Sequence, residues 1–195
     1  MKKSILNYFR ILVEHEIVRR YIIINSFDGA LTILGIVVAV FMSGIKDPKL
    51  IIIPSIGASI AMCVSGIWGS YAAERAEIKK KIRVIEAHLI KDLSGTEFSR
   101  QREKMAWIIG VVDGIIPLIL AFILIFPFFF VPAGYISIQA AYYLSLALVA
   151  VNLFVLGAFA GKIAKESMIK QGVIMLLAGV VIGLIFIVLA WLGVI

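Results

Sequence analysis

The chain has 195 residues, 62% of them hydrophobic and 16% charged, with a mean hydropathy of +1.07. A water-soluble domain averages about 45–50% apolar and about 25% charged residues, so this composition excludes an ordinary soluble fold and points to lipid as the solvent. The formal charge of +7 does not indicate nucleic acid, because the basic residues lie between apolar runs and not along one face.

The N-terminal stretch carries Lys2, Lys3, Arg10, Glu14 and Glu16 and lacks the long apolar run of a cleavable signal. Ile5, Leu6, Phe9, Leu12 and Val13 share one helical face, which predicts an amphipathic helix over residues 1–19 at the membrane surface. Five apolar stretches then follow, Tyr21 to Ser43, Leu50 to Tyr71, Met105 to Phe130, Ile138 to Gly161 and Gln171 to Ile195. Each reaches the roughly 20 residues that a bilayer core requires. Pro54, Pro117, Pro127 and Pro132 lie in or near these runs, as membrane helices tolerate when neighbours satisfy the freed carbonyls. Cys63, the one cysteine, lies inside the second run, so no intrachain disulfide is possible.

Lysines and arginines set the orientation. Five precede or open the first run, nine lie in the second loop and three in the fourth, so 17 of the 19 fall on one side. The positive-inside rule makes that side, and the N-terminus, cytoplasmic. The expected fold is therefore an all-α integral membrane protein of five transmembrane helices, one domain over residues 1–195. Its sizeable soluble element is a cytoplasmic helical loop over residues 72–104. Ala73 to Leu93 contains no proline or glycine and is expected to continue the second span outward, with Ser94-Gly95 breaking it and Thr96 capping the next helix. A short internal repeat is also legible: Asp28-Gly29 returns as Asp113-Gly114, and Gly69-Ser70-Tyr71-Ala72 as Gly157-Ala158-Phe159-Ala160.

Asp28 is the residue most informative about function. It lies about seven residues, roughly 10 Å, into the first span. A carboxylate there costs on the order of 2.5–3.5 kcal/mol on insertion scales, so a cation, a proton or a polar partner must offset it. Asn25 and Thr32 share its face and add oxygen ligands suited to a divalent cation. The plainer reading is a protonated aspartate that hydrogen-bonds helices together. Asp113, at similar depth in the third span, is a second candidate for cation or proton, or a group hydrated near the interface. Met62 and Cys63 offer soft sulfur but equally serve as apolar filler. Asn152 either lines a polar path or bonds across helices. Glu74, Glu77, Glu86 and His88 on the cytoplasmic helix either collect metal or simply solvate it. No P-loop, nucleophile elbow, H-E-x-x-H or C-x-x-C occurs, and no enzymatic activity or bound cofactor is expected.

Three segments resemble the vacuolar iron transporter family, which includes the yeast Ccc1-type proteins. Asp28-Gly29-Ala30-Leu31-Thr32 resembles the family's D-G-L-V-T signature. Ser65-Gly66-Ile67-Trp68-Gly69-Ser70-Tyr71, leading to Glu74 and Glu77, resembles its S-M-G-x-G-x-Y segment. Leu153 to Leu192 looks like its last two spans. The resemblance implies a five-helix homodimer that exports Fe²⁺ or Mn²⁺ from the cytosol in exchange for protons, with Asp28 as the pathway carboxylate. It aligns the family's pathway methionine with Gly66, and Met62 lies one turn away on the same face. Asp113 becomes the proton-coupling or second metal group, and Glu74, Glu77, Glu86 and His88 stand at the cytoplasmic mouth. With no long transit segment or sorting signal in the sequence, the expected setting is a prokaryotic cell membrane, with metal ions, protons and lipid as partners and no nucleic acid. Two other classes remain open from the residues alone: a non-transporting anchor acting through its basic helix, and a proton-coupled transporter of another solute.

Overall fold

The computed structural model describes residues 16–89 and 96–193. Within them the chain forms α1 (Glu16–Met42), α2 (Lys49–Leu89), α3 (Glu97–Ile125), α4 (Ile138–Ala164) and α5 (Met168–Trp191). All five are long and apolar enough to cross a membrane, and among the described residues there is no strand. The predicted spans thus correspond one to one with observed helices. The amphipathic segment lies outside the described residues up to His15, and Glu16 to Arg19 run without a break into α1. The Ser94-Gly95 break also lies outside them.

Local chemistry explains most of the ends. Asp47 accepts the Lys49 amide at 2.9 Å and Pro48 follows it, which starts α2. Ser137 accepts the Ala140 amide at 3.2 Å to start α4, and Ser167 accepts the Lys170 amide at 3.4 Å to start α5. Thr96 precedes α3 and its carbonyl takes the Arg100 amide at 3.1 Å. Between α4 and α5, Lys165 adopts a left-handed conformation and the Glu166 amide returns to the Gly161 carbonyl at 2.9 Å. α3 tightens into a 3-10 turn over Phe126–Phe130, where Pro127 removes one amide donor.

α2 has 41 residues, about 61 Å at 1.5 Å per residue, which is twice the hydrocarbon thickness of about 30 Å. The expected outward extension is therefore one continuous helix with the span as far as Leu89. α2 packs chiefly on α3, and α4 on α5, while α1 runs between these pairs. The hydrophobic core fills one half of the bundle: Ile33, Leu34 and Val37 of α1 meet Ile51, Leu124, Ile125, Phe128, Tyr142 and Val149. In the other half, α2 leans on α3 and leaves a wedge beside α1. That wedge is where the polar residues collect.

Candidate functional site

A cleft of about 640 Å³ opens between the first half of α1 and the middle of α2. Tyr21, Ile24, Asn25, Asp28 and Thr32 line one wall, Met62, Ser65, Gly66, Gly69 and Ser70 the other, and Asp113 of α3 lies behind them. Five of the nine residues expected from sequence to contact metal thus share one cleft: Asn25, Asp28, Thr32, Met62 and Asp113.

The two aspartates differ in environment. Asp28 is exposed on the cleft wall, and among the described residues no ion pair holds it. Thr32 donates its hydroxyl to the Asp28 backbone carbonyl at 2.8 Å, which leaves its oxygen lone pairs able to accept. Asp113 is 3% exposed, which removes the reading of a group hydrated at the interface. Asn25 Nδ2 donates to one of its carboxylate oxygens and Ser70 Oγ to the other, tying α1, α2 and α3 together. Asn25 also donates to the Tyr21 carbonyl at 3.3 Å. Ser70→Ala leaves that buried carboxylate one donor short, and a loss of about 1–3 kcal/mol is expected. A thermal unfolding curve of the purified variant checks this.

Glycines bring the elements this close. A Cβ on Gly66 would stand 2.8 Å from Gly114 Cα, and one on Gly114 would stand 2.3 Å from the Cys63 carbonyl oxygen. α2 and α3 therefore touch backbone to backbone there, as small residues allow in membranes. A methionine at position 66 has no room, while Met62 lines the cleft with its Cε beside Gly29. Gly29 in turn sits against Pro117, where a Cβ would meet the proline ring at 3.2 Å. Both Asp-Gly pairs thus have the same logic, a carboxylate on the cleft and a glycine at a helix crossing. The second pair of matched segments differs, for Gly157 packs on Gln171 and Gly172 of α5 while Gly69 has open space beside it.

At one end of the cleft the Tyr21 hydroxyl donates to Glu74 at 3.1 Å. Glu74 and Glu77 line an adjoining cavity of about 350 Å³ with Lys81 and Arg102, and Glu77 pairs with Lys81 at 3.8 Å. Glu86 and His88 stand apart from both cavities, about 18 and 21 Å beyond Glu74 along α2. The His88 ring is exposed and its Nδ1 lies 2.7 Å from the Val84 carbonyl. Among the described residues no three His, Cys, Asp or Glu side chains cluster closely enough to hold a metal. The cleft thus holds one exposed carboxylate with amide, hydroxyl and thioether side chains in its lining.

The VIT family profile matches residues 75–191, more than half of the chain. The chain belongs to the VIT family. It is also 31% identical to the uncharacterized protein MJ0645 of Methanocaldococcus jannaschii over 186 residues, 94% of this chain and 92% of that relative. No solved structure matches. VIT membership suggests a metal-ion transporter, and with five apolar helices it makes the chain a multi-pass membrane protein.

Three polar side chains of the cleft lie outside the set expected from sequence: Tyr21, Ser65 and Ser70. The signal for Ser65 and Ser70 is the recurrence of small or polar residues three to four apart on α2, at Met62, Ser65, Gly66, Gly69 and Ser70. Tyr21 carries no such signal, because its partner Glu74 is 53 residues away.

Proposed function

We propose that this VIT-family chain exports divalent iron or manganese from the cytosol in exchange for protons, working as a homodimer in a prokaryotic cell membrane. The observation that carries the reading is Asp28, a carboxylate of an apolar helix that is exposed on a polar cleft and, among the described residues, held in no ion pair. A carboxylate held in that position gains most from a visiting cation. Oxygen from Asp28, Asn25 and Thr32 with the Met62 thioether forms a mixed hard and soft donor set, which suits first-row divalent metals better than magnesium or calcium. The set is partial in one chain, and a second copy facing the same cleft would supply the remaining ligands.

Exchange for protons follows from chemistry, since a cation binding to carboxylates displaces protons. Asp113 is our proton-coupling group, as the second carboxylate on the same cleft, buried behind the exposed Asp28. Glu74 and Glu77 then attract metal at the mouth, with Glu86 and His88 farther out on the same helix. The distribution of basic residues supports a cytosolic mouth, and the archaeal relative supports the prokaryotic setting.

The test uses purified protein in liposomes with a pH-sensitive dye inside. Fe²⁺ and Mn²⁺ are expected to enter while the lumen changes pH in the opposite sense to proton entry. No metal-dependent flux overturns transport. Flux without a lumenal pH change overturns exchange, and a monomer by cross-linking in the same liposomes overturns the dimer.

A further inference from the structure

The two Asp-Gly pairs differ one helical turn on, where Thr32 follows Asp28 and Pro117 follows Asp113. The difference falls on the backbone carbonyls. In a helix each carbonyl accepts from the amide four residues later. The Asp28 carbonyl has the Thr32 amide for that bond and also takes the Thr32 hydroxyl at 2.8 Å. Proline has no N–H, so the Asp113 carbonyl lacks its helical donor, and the ring pushes that oxygen away from the helix axis. The same repeat assigns the Ile116 amide to Val112 and the Leu118 amide to Gly114. Among the described residues, no side chain and no amide of another element donates to the Asp113 carbonyl. Asp113 and Pro117 are both buried, and a buried acceptor without a donor is costly.

This carbonyl lies at the floor of the cleft. A Cβ on Gly66, which lines the cleft, would stand 3.3 Å from the Asp113 carbonyl carbon. The carbonyls of α3 point along the helix from Asp113 toward Pro117. Pro117 abuts Gly29, the residue after Asp28, where an added Cβ would meet Pro117 Cβ at 3.2 Å and Met62 Cε at 3.7 Å. The unserved oxygen thus belongs to the stretch of α3 between the Gly66 and Gly29 crossings, among the residues that hold Asp28 and Met62 in the cleft.

We infer that the Asp113 backbone carbonyl is an oxygen ligand for a divalent cation in the cleft, an inference that rests on the metal reading above. Its sign suits a cation and opposes an anion, because a carbonyl presents the negative end of its dipole. Backbone carbonyls are ordinary ligands for divalent cations, and interrupted helices in transporters use freed carbonyls in this way. The oxygen adds a neutral donor where Gly66 has no side chain to offer. Water is the competing occupant of a buried polar group.

The experiment uses full-length protein in neutral detergent, made with aspartate carrying carbon-13 at its backbone carbonyl and titrated with Mn²⁺. Electron–nuclear double resonance of the bound Mn²⁺ should show a carbon-13 coupling of the size that a coordinated carbonyl gives. Pro117→Ala keeps the Cβ that meets Gly29 and restores the missing amide. It should erase the coupling and weaken Mn²⁺ binding about tenfold or more. Its melting temperature should hold or rise, because alanine suits a helix interior far better than proline. A residue that merely shapes the helix would not separate these two effects. Pro54→Ala, which restores an amide to the Leu50 carbonyl away from the cleft lining, should leave coupling and affinity unchanged. Wild-type protein that binds Mn²⁺ with no such coupling would overturn the inference alone and leave water on the carbonyl. Retained coupling or unchanged affinity in Pro117→Ala would do the same. Wild-type protein that binds no Mn²⁺ would take the metal reading down as well.

Discussion

Asp28→Ala is expected to abolish metal uptake into liposomes while leaving the protein at least as stable as before. The two effects separate because Asp28 is exposed on the cleft and no described ion pair depends on it. Removing a carboxylate from a span relieves an insertion cost on the order of 2.5–3.5 kcal/mol, so the melting temperature should hold or rise. Flux should move the other way. Groups that merely support a metal ligand typically contribute 10–100-fold in affinity or activity, so loss of the charged ligand itself should cost at least about a hundredfold. Asp28→Asn keeps the shape and loses the charge, and it should fall nearly as far. Uptake of Fe²⁺ or Mn²⁺ by either variant at the wild-type rate would remove the mechanism.

Gly114→Ala should show the opposite pattern, a structural loss that brings down everything else. The added methyl would stand 2.3 Å from the Cys63 carbonyl oxygen and 3.0 Å from the Ile67 amide nitrogen, both backbone atoms that cannot rotate away. α2 and α3 must separate, at a cost of about 1–3 kcal/mol or more for an overpacked contact. Separation also pulls Ser70 from Asp113, so the buried carboxylate loses a donor. Gly35→Ala is the matched control, since nothing lies within 4 Å of its Cβ position. It should be neutral or slightly stabilising, because alanine favours a helix by about 1 kcal/mol over glycine. Equal melting temperatures for the two variants, measured in one detergent, would contradict the close crossing.

The five helices were legible because each apolar run has the length of a bilayer crossing and each is punctuated by loop residues. The α1 wall of the cleft was legible too. Asn25, Asp28 and Thr32 recur at three- and four-residue intervals, and a helix must put them on one face. The remainder depended on contacts between helices, which no single-helix period encodes. Asp113 looked equally able to be hydrated or buried, and only the arrival of Asn25 and Ser70 from two other helices decides for burial. Gly66 stands where the resemblance puts a methionine, and the sequence alone does not say why. The reason is Gly114, 48 residues later, which occupies the space a side chain would need.

From Ser55 to Leu89, α2 contains no proline, so it can act as a stiff rocker with the Gly66–Gly114 contact as its fulcrum. Met62 is then about 6 Å from the pivot, Glu74 about 12 Å and Leu89 about 35 Å. A swing of about 5° would displace them by about 0.5, 1 and 3 Å respectively. One ångström is enough to part the Tyr21 hydroxyl from Glu74, now 3.1 Å apart, while Met62 beside Gly29 barely shifts. The doorway of the cleft can therefore swing open with Met62 nearly still.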